Sequence, residues 1–467
     1  MPAHGSDPSD RTGPLLPSDG SDEPESPTRA SALVTVARAL EAILGPDLPI
    51  AVRAYDGSRL GPIDAPATLL VRSPAAFQRM LTAPGELGLG RAYVAGELDV
   101  EGDLYAALHA LRERIPDLRA FGPRRWAEVA RLAGSSFVRT RFRTLPIPPE
   151  EARLRGRRHS KGRDGAAIAH HYDVSNAFYR IVLGPSMTYS CAVWERPDVT
   201  LEEAQTAKYE LVCRKLALKE GMRLLDVGCG WGGMVMHAAA RHGVRAVGVT
   251  VSRPQAEWAE KAVADAGLAD RVEIRYQDYR DVRDGPFDAI SSIGMFEHVG
   301  LSQLAVYFDR IRRLLRPGGR LLNHGIARPP TSGRTRFRRG SFIDRYVFPD
   351  GELHEVGSVV SAIQRSGLEV RHVEGLREHY APDAAGVGAE PRGELGGRRG
   401  RGRRRAGADL ASVHGGLCAE LRGRPDAGPS GTCGEARWRP VWPAAPSTAR
   451  ARLTNPLARS RTPARTR

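Results

Sequence analysis

One segment of the sequence, LLDVGCGWGG at residues 224–233, constrains the fold of this chain more than any other. An apolar run typical of a buried strand ends at Asp226, and glycines follow at Gly228, Gly230 and Gly232. Glycine lets the backbone turn tightly against a bound ligand before the helix pattern GMVMHAAA begins. The spacing does not fit the G-x-G-x-x-G fingerprint of dinucleotide-binding loops, so a pyrophosphate site is disfavoured.

The segments around this loop alternate between helix and strand patterns over residues 166–380. One helix pattern, SRPQAEWAEKAVADAG, begins with Ser252 as its N-cap. This order predicts an α/β fold with a doubly wound, Rossmann-like sheet. In such a sheet the glycine loop is typical of the nucleoside-binding loop of class I methyltransferases, whose ligand is S-adenosylmethionine. The predicted strands are MRLLDVG, VRAVGVTV, VEIRYQD, FDAISSIGM, GRLLNHGIA and, as a sixth, LEVRHVEGL.

Two further positions bear on this ligand. Asp278, in YQDY, follows a strand pattern, where a carboxylate can accept a hydrogen bond from the adenine amino group. The second strand of a methyltransferase sheet usually ends in an acid that binds the ribose hydroxyls, but here it ends in Thr250. Ribose contacts then have to come from Thr250 and Gln255. This departure points to a particular family.

Several motifs in the same order make the chain resemble the cyclopropane-fatty-acyl-phospholipid synthases and the mycolic acid cyclopropane synthases. They are HHYDVSNAFYRIVLGPSMTYSCAVWE (170–195), GVTVSRPQ, QDYRDV and SSIGMFEHVG. The resemblance implies transfer of a one-carbon unit from S-adenosylmethionine to the double bond of an unsaturated phospholipid acyl chain. The resulting carbocation loses a proton to bound bicarbonate. Proton loss from the new methyl group gives a cyclopropane and loss elsewhere gives a methylene branch, and the sequence leaves both products open.

The resemblance also assigns site residues. Hydrogen bonds from Glu297 and His324 would position bicarbonate, and Tyr380 would add a phenol donor and a ring face for the cation. The full set implied for this anion pocket is Cys191, Glu297, His324, Ile326 and Tyr380. The set implied for cofactor binding is Tyr189, Ser190, Asp226, Gly228, Gly230, Gly232, Thr250, Gln255, Asp278 and Tyr279. Singly, each residue also fits a structural role, and the assignment depends on the whole set.

Composition divides the chain into five parts. Residues 1–30 have a disordered composition. Residues 31–118 form an α+β pattern that resembles the family's lipid-binding accessory domain. Residues 119–165 are Arg-rich, which fits either a solvated linker or a cationic face for anionic headgroups. The predicted methyltransferase domain covers 166–381, and the tail covers 382–467.

Composition also limits the compartment. No run of about 20 apolar residues occurs, so we expect no membrane-spanning helix. The N-terminus lacks the apolar region of a secretory signal. The five cysteines show neither a disulfide framework nor paired metal spacing, so no metal ligands are predicted. We therefore expect a cytoplasmic enzyme that works peripherally at the inner membrane surface; whether it forms a homodimer stays open.

The tail differs from everything before it. Its 86 residues contain 17 arginines and no Lys, Phe, Tyr, Ile, Met or Gln, and they contribute +10 of the net charge of +15. They show neither helical nor alternating periodicity. Such composition is typical of GC-rich DNA translated out of frame, and back-translation in the neighbouring frame is compatible with two helices and a closing strand. We therefore predict a frameshift after Ala381, a disordered tail, and a chain with low stability and little or no activity.

Two other functions fit parts of the sequence. One is a methyltransferase that acts on a small molecule or a protein, which the anion-pocket set and the accessory domain disfavour. The other is a nucleic-acid-binding protein that uses the basic tail, which would bind DNA in a salt-dependent way. The aromatic residues of the tail are two tryptophans, Trp438 and Trp442, which are too few to interleave with its 17 arginines, so we expect no specific nucleic-acid partner.

Overall fold

A computed structural model describes residues 35–83, 85–114, 124, 145–173, 175–328 and 340–380. The predictions for residues 1–30, for the tail at 382–467 and for most of 119–165 lie outside these ranges. Within them, every helix is too short or too polar to cross a membrane.

The N-terminal part packs four helices of 9 to 11 residues against a four-stranded sheet. In this sheet the order is β2-β1-β3-β4, with β1 parallel to β3 and the outer pairs antiparallel. The alternating pattern of the strands buries one face against the helices, in a core that includes Leu40, Val52 and Leu69. The elements are α1 (Val36–Leu44), β1 (Ala51–Ala54), β2 (Arg59–Leu60), β3 (Ala67–Val71), α2 (Pro74–Thr82), α3 (Glu86–Val94), β4 (Leu98–Gly102) and α4 (Leu104–Arg114).

The second part is a five-stranded parallel sheet in the order β7-β6-β5-β8-β9, with helices on both faces. Its elements are α5 (Lys161–Tyr172), α6 (Asn176–Leu183), α7 (Leu201–Leu216), β5 (Arg223–Val227), α8 (Gly233–His242), β6 (Arg245–Thr250), α9 (Arg253–Asp265), β7 (Val272–Tyr276), β8 (Phe287–Ile293), α10 (Phe296–Val299), α11 (Leu304–Leu314) and β9 (Leu315–His324). The chain then forms β10 (Ala327–Arg328), a π-helical turn (Ile343–Val347), β11 (His354–Glu355) and α12 (Val356–Arg365). This is the predicted doubly wound α/β fold.

Local signals explain several boundaries. Thr200 and Glu203 form a capping box at the start of α7. Ser252 caps α9 as predicted, since its hydroxyl accepts the Gln255 backbone N–H. Gly243 ends α8 in a left-handed conformation with φ of 65°.

The prediction of a sixth strand at LEVRHVEGL is wrong. Residues 368–376 form neither strand nor helix, and β9 is the last strand of the sheet on that side within the described residues. A strand needs a neighbour to receive its backbone hydrogen bonds. The pattern alone does not supply that neighbour, and the segment expected to supply it belongs to the tail.

The described end of the Arg-rich segment contacts both the N-terminal part and the part that contains the parallel sheet. Helix α5 begins at Lys161, inside the range expected to be linker. Glu151 is buried and forms two hydrogen bonds with Arg91 of α3, at 2.7 and 2.8 Å. Arg163 forms an ion pair with Asp350. These residues therefore join the N-terminal part to the part that contains the parallel sheet.

Candidate active site

A pocket opens at the carboxyl ends of β5, β6 and β8, where parallel α/β sheets bind their ligands. Residues of five further segments line it: α5, the loop before α7, α7, the glycine loop and the start of α10. Most residues predicted to bind the cofactor line it: Tyr189, Ser190, Asp226, Gly228, Gly230, Thr250, Gln255 and Tyr279. Two predicted residues, Gly232 and Asp278, do not.

The glycine loop has the geometry that its sequence indicates. Gly228 has a φ of 80°, and a Cβ atom there would lie 2.4 Å from the Met295 side chain. Gly230 also has a positive φ, of 54°. The backbone N–H groups of residues 228 and 229 both donate to the Val249 carbonyl, at 2.9 and 3.0 Å, which holds the loop against β6. Gly232 serves a different purpose, because it is the N-cap of α8.

A buried charge cluster lies beneath the loop. Asp226 accepts a hydrogen bond of 2.6 Å from Ser291, and burial raises the pKa of its carboxyl to about 6. The ammonium of Lys208, which is 2% exposed, opposes that rise in the pKa of Asp226 and donates to the Ser190 hydroxyl at 3.1 Å. Sequence reasoning missed Lys208. The signal was a lysine on the face of α7 that carries Ala204, Val212 and other buried side chains.

Thr250 and Gln255, predicted to bind the ribose, line the pocket, whereas Asp278, predicted to bind the adenine, does not. Thr250 and Gln255 are both buried, and the threonine hydroxyl donates to the glutamine Oε1 at 2.8 Å. The carboxylate of Asp278 is held by the Arg280 guanidinium, at 2.6 and 2.9 Å, so it turns towards that side chain. Its neighbours in the sequence, Gln277 and Tyr279, line the pocket instead.

Aromatic rings form one wall of the pocket. Tyr172 is the centre of the group, with ring centroids 6.1 Å from both Tyr189 and Trp231 and 6.4 Å from His298. The Trp231 indole is fixed by a 2.8 Å hydrogen bond to Asn176. Burial lowers the pKa of His298 to about 4, so its ring is neutral. The site-residue prediction included only Tyr189 of this wall, although HHYDVSN was part of the motif that identified the family.

Next to this wall lies a buried acid. Glu297 is 9% exposed, and it sits between pocket-lining Met295 and His298 in the sequence. Its Oε1 accepts the Ile326 backbone N–H at 2.7 Å, whereas its Oε2 has no hydrogen-bond partner among the described residues. Burial raises the pKa of this carboxyl to about 7. Of the five residues implied for the anion pocket, Glu297 and Ile326 are thus in direct contact.

The other three implied residues come from separate parts of the described chain. Burial, with the charges of Lys208 and Lys215, lowers the pKa of His324 to about 4. Cys191 is fully buried, and its Sγ lies 3.7 Å from the Leu376 carbonyl oxygen. Tyr380 follows a 3-10 turn (Arg377–His379) that docks near Cys191. The residues that line the cofactor pocket include none of the five.

Comparison with known proteins agrees with this architecture. Residues 159–384 match the family model described as mycolic acid cyclopropane synthetase. The chain is 50% identical over 345 residues to a probable fatty acid methyltransferase of Mycobacterium tuberculosis, covering 71% of this chain and 78% of that protein. It is 36% identical over 299 residues to the cyclopropane-fatty-acyl-phospholipid synthase of Escherichia coli K12, covering 64% and 70%. The solved cyclopropane synthase MmaA2 from Mycobacterium tuberculosis is 32% identical, with a TM-score of 0.50, and the match covers 54% of this chain and 93% of that chain.

Proposed function

Because the chain belongs to the S-adenosylmethionine-dependent cyclopropane synthase family, we propose that it adds a one-carbon unit to the double bond of an unsaturated phospholipid acyl chain. The proposed product is a cyclopropane fatty acid. The observation that carries this proposal is Glu297, a buried acid with one unpartnered oxygen, next to the aromatic wall of the cofactor pocket.

The pocket fits S-adenosylmethionine, which supplies an electrophilic methyl group when bound. Gly228 and Gly230 adopt positive φ angles and have no side chain, so their backbone can approach the ligand closely. A side chain at Gly228 would also collide with Met295. Asp226 offers a buried carboxylate for an ammonium group of the ligand. Thr250 and Gln255 offer hydroxyl and amide groups for the ribose.

An isolated alkene is a weak nucleophile, so the protein has to hold it dry and aligned with the methyl donor. The π electron pair of the alkene would form the bond to the methyl carbon, while the electron pair of the broken methyl–sulfur bond would stay on sulfur. A cation would then remain on the neighbouring carbon of the acyl chain. The faces of Tyr172, Tyr189 and Trp231 can stabilise positive charge without attacking it. Loss of a proton from the new methyl group then lets its C–H electron pair close the ring.

We place bicarbonate, which acts as a base when bound, beside Glu297, because the Oε2 of that residue has no hydrogen-bond partner among the described residues. With a pKa of about 7, the carboxyl of Glu297 carries a proton on a substantial share of molecules at neutral pH and can donate it in a hydrogen bond to an anion. The Ile326 N–H already binds Glu297 Oε1, so we assign it to positioning that side chain. The roles of Cys191, His324 and Tyr380 in the same pocket are part of the proposal and rest on the family resemblance.

The substrate resides in a bilayer, so the proposed enzyme meets the membrane peripherally. Arg153, Arg155 and Arg157 are exposed in the segment before α5 and could bind anionic headgroups. Co-sedimentation with vesicles tests this contact. Binding should increase with the fraction of anionic lipid and fall when the three arginines are replaced by glutamate. Equal binding by the variant would refute the assignment of this segment.

The proposed reaction is tested with isotope-labelled S-adenosylmethionine and vesicles of a cis-unsaturated phosphatidylglycerol. Two proteins are assayed, the chain as given and a version with the reading frame restored after Ala381. Label in the acyl chain, with one added CH₂, supports the proposal. Absence of label from the lipid with the frame-restored protein refutes it. Resequencing the gene across codons 370–395 tests the frameshift separately.

A methylene-branched acyl chain is the second candidate product, because it forms from the same cation by loss of a different proton. Both products contain one added CH₂, so mass alone does not separate them. Ozonolysis cleaves a methylene group and leaves a cyclopropane intact. Cleavage of the labelled lipid would therefore favour the methylene product.

A further inference from the structure

A group of metal-binding residue types lies away from the methyl-transfer pocket, between α7 and α8. It consists of Cys213 on α7 and of His237 and His242 on α8. One ligand atom from each residue lies within 4.8 Å of the other two. The cysteine is fully buried, and the histidine side chains are 11% and 19% exposed. The sulfur therefore forms the floor of the group and the imidazoles form its solvent side.

A fourth residue approaches the same point. Glu210 precedes Cys213 by one turn of α7, and its Oε2 lies 3.4 Å from His237 Nε2 and 3.0 Å from His242 Nε2. In a tetrahedral zinc site the ligand atoms lie about 2.0–2.3 Å from the metal and hence roughly 3.3–3.8 Å from each other. The 3.4 Å distance from Glu210 to His237 matches that spacing, and the 3.0 Å distance to His242 is slightly shorter. The side-chain atoms of the other three need to move by about 1 Å.

We propose that Cys213, His237, His242 and Glu210 form a binding site for a divalent transition metal of the zinc class. A thiolate and two imidazoles prefer zinc and its neighbours over magnesium or calcium, which prefer oxygen ligands. On binding, the thiol loses its proton to solvent as the sulfur–metal bond forms. Each neutral imidazole donates a nitrogen lone pair, and the carboxylate donates an oxygen lone pair.

The position of the site gives it a structural consequence. Helix α8 starts at the glycine loop, and α7 carries Lys208 and Tyr209, which line the cofactor pocket. The Tyr209 ring centroid is 5.7 Å from that of His237. A metal that joins the two helices would therefore fix two walls of the cofactor pocket relative to each other. The site does not depend on the acyl substrate.

Cysteine spacing predicted no metal ligands because the residues come from two helices. Their separation in the sequence matches none of the short paired motifs used to recognise metal sites. Without a metal, the same side chains would form a hydrogen-bonded Glu–His pair beside a buried cysteine. The two interpretations differ in one observable, a bond between sulfur and metal.

The experiment is a titration of the untagged full-length protein with Co²⁺, followed by absorption spectroscopy. We expect one equivalent to produce a near-ultraviolet sulfur-to-cobalt charge-transfer band, and excess Zn²⁺ to remove it. The band should be lost in Cys213→Ser. In His242→Gln the affinity for Co²⁺ should be at least about tenfold weaker. His109→Gln, which removes an exposed histidine of α4, should leave the titration unchanged.

Separate measurements test whether the variants fold. His242 is partly exposed at the end of α8, so its replacement leaves the core intact even if Cys213→Ser unfolds the domain. Circular dichroism checks both variants. Zn²⁺ should also raise the Tm of the wild type and not that of His242→Gln. Absence of the charge-transfer band, or its persistence in both variants, would overturn the proposal.

Discussion

Replacement of Glu297 by glutamine should make the protein more stable at pH 8 and less active. Burial raises the pKa of this carboxyl from its ordinary value of 4.5 to about 7, so the unfolded chain ionises at a lower pH than the folded protein. The stability that the neutral carboxyl provides is full below about pH 4.5. It is lost as the pH rises towards 7 and stays lost above that value.

The magnitude follows from the pKa difference. At 1.36 kcal/mol per pKa unit, ionised Glu297 lowers the free energy of unfolding by about 3 kcal/mol at pH 8. Glutamine cannot ionise, and its carbonyl oxygen can still accept the Ile326 N–H. For a domain of this size roughly 2–4 °C of Tm corresponds to 1 kcal/mol. The variant should therefore melt roughly 6–12 °C above the wild type at pH 8 and close to it at pH 4.5.

Thermal melts of both proteins at several pH values between 4.5 and 8 measure this difference. Glu260→Gln, at an exposed position of α9, is the matched control for the loss of one acidic side chain. A pH-independent Tm difference between the variant and the wild type would refute the reasoning. In the protein with its reading frame restored, lipid methylation should fall about a hundredfold or more in Glu297→Gln, since the acid proposed to hold the base is gone.

Two other substitutions test the cofactor loop and the junction between the two parts of the chain. Gly228→Ala should cost about 1–2 kcal/mol of stability through its positive φ and abolish S-adenosylmethionine binding in calorimetric titration; Gly165→Ala, in α5 with open space around it, should bind normally. Arg91→Ala should cost about 3 kcal/mol in thermal melts, because Glu151 stays buried without its main partner. Arg53→Ala, which breaks an exposed ion pair, should cost at most about 1 kcal/mol, and equal losses would contradict the importance of burial.

Several features could be predicted because they depend on residues close together in the sequence. The five strands β5 to β9 were each predicted, since an apolar run bounded by turn residues has few other structures available. The Ser252 cap was predicted because the hydroxyl and the N–H that it accepts are three residues apart. The family was recognised from short motifs in a fixed order, and the comparisons confirm it.

Other features depend on distant residues and were missed. The strand pattern at 368–376 has no strand in the structure, because pairing requires a partner that the segment itself does not contain. Lys208 was overlooked because a lysine in a helix usually faces solvent, and only packing puts it under the glycine loop.

The sequence by itself determined the class of fold, the glycine loop and the family, since periodicity and motif order are local properties of the chain. The tertiary structure decided the electrostatics, because a pKa depends on burial and on charges brought from elsewhere in the sequence. In the sequence, Glu297 has the pattern of an ordinary acid at a helix terminus. Only in the folded protein do the Ile326 backbone and the surrounding core enclose it. Likewise Cys213, His237 and His242 become neighbours only when α7 and α8 pack together in one core cluster.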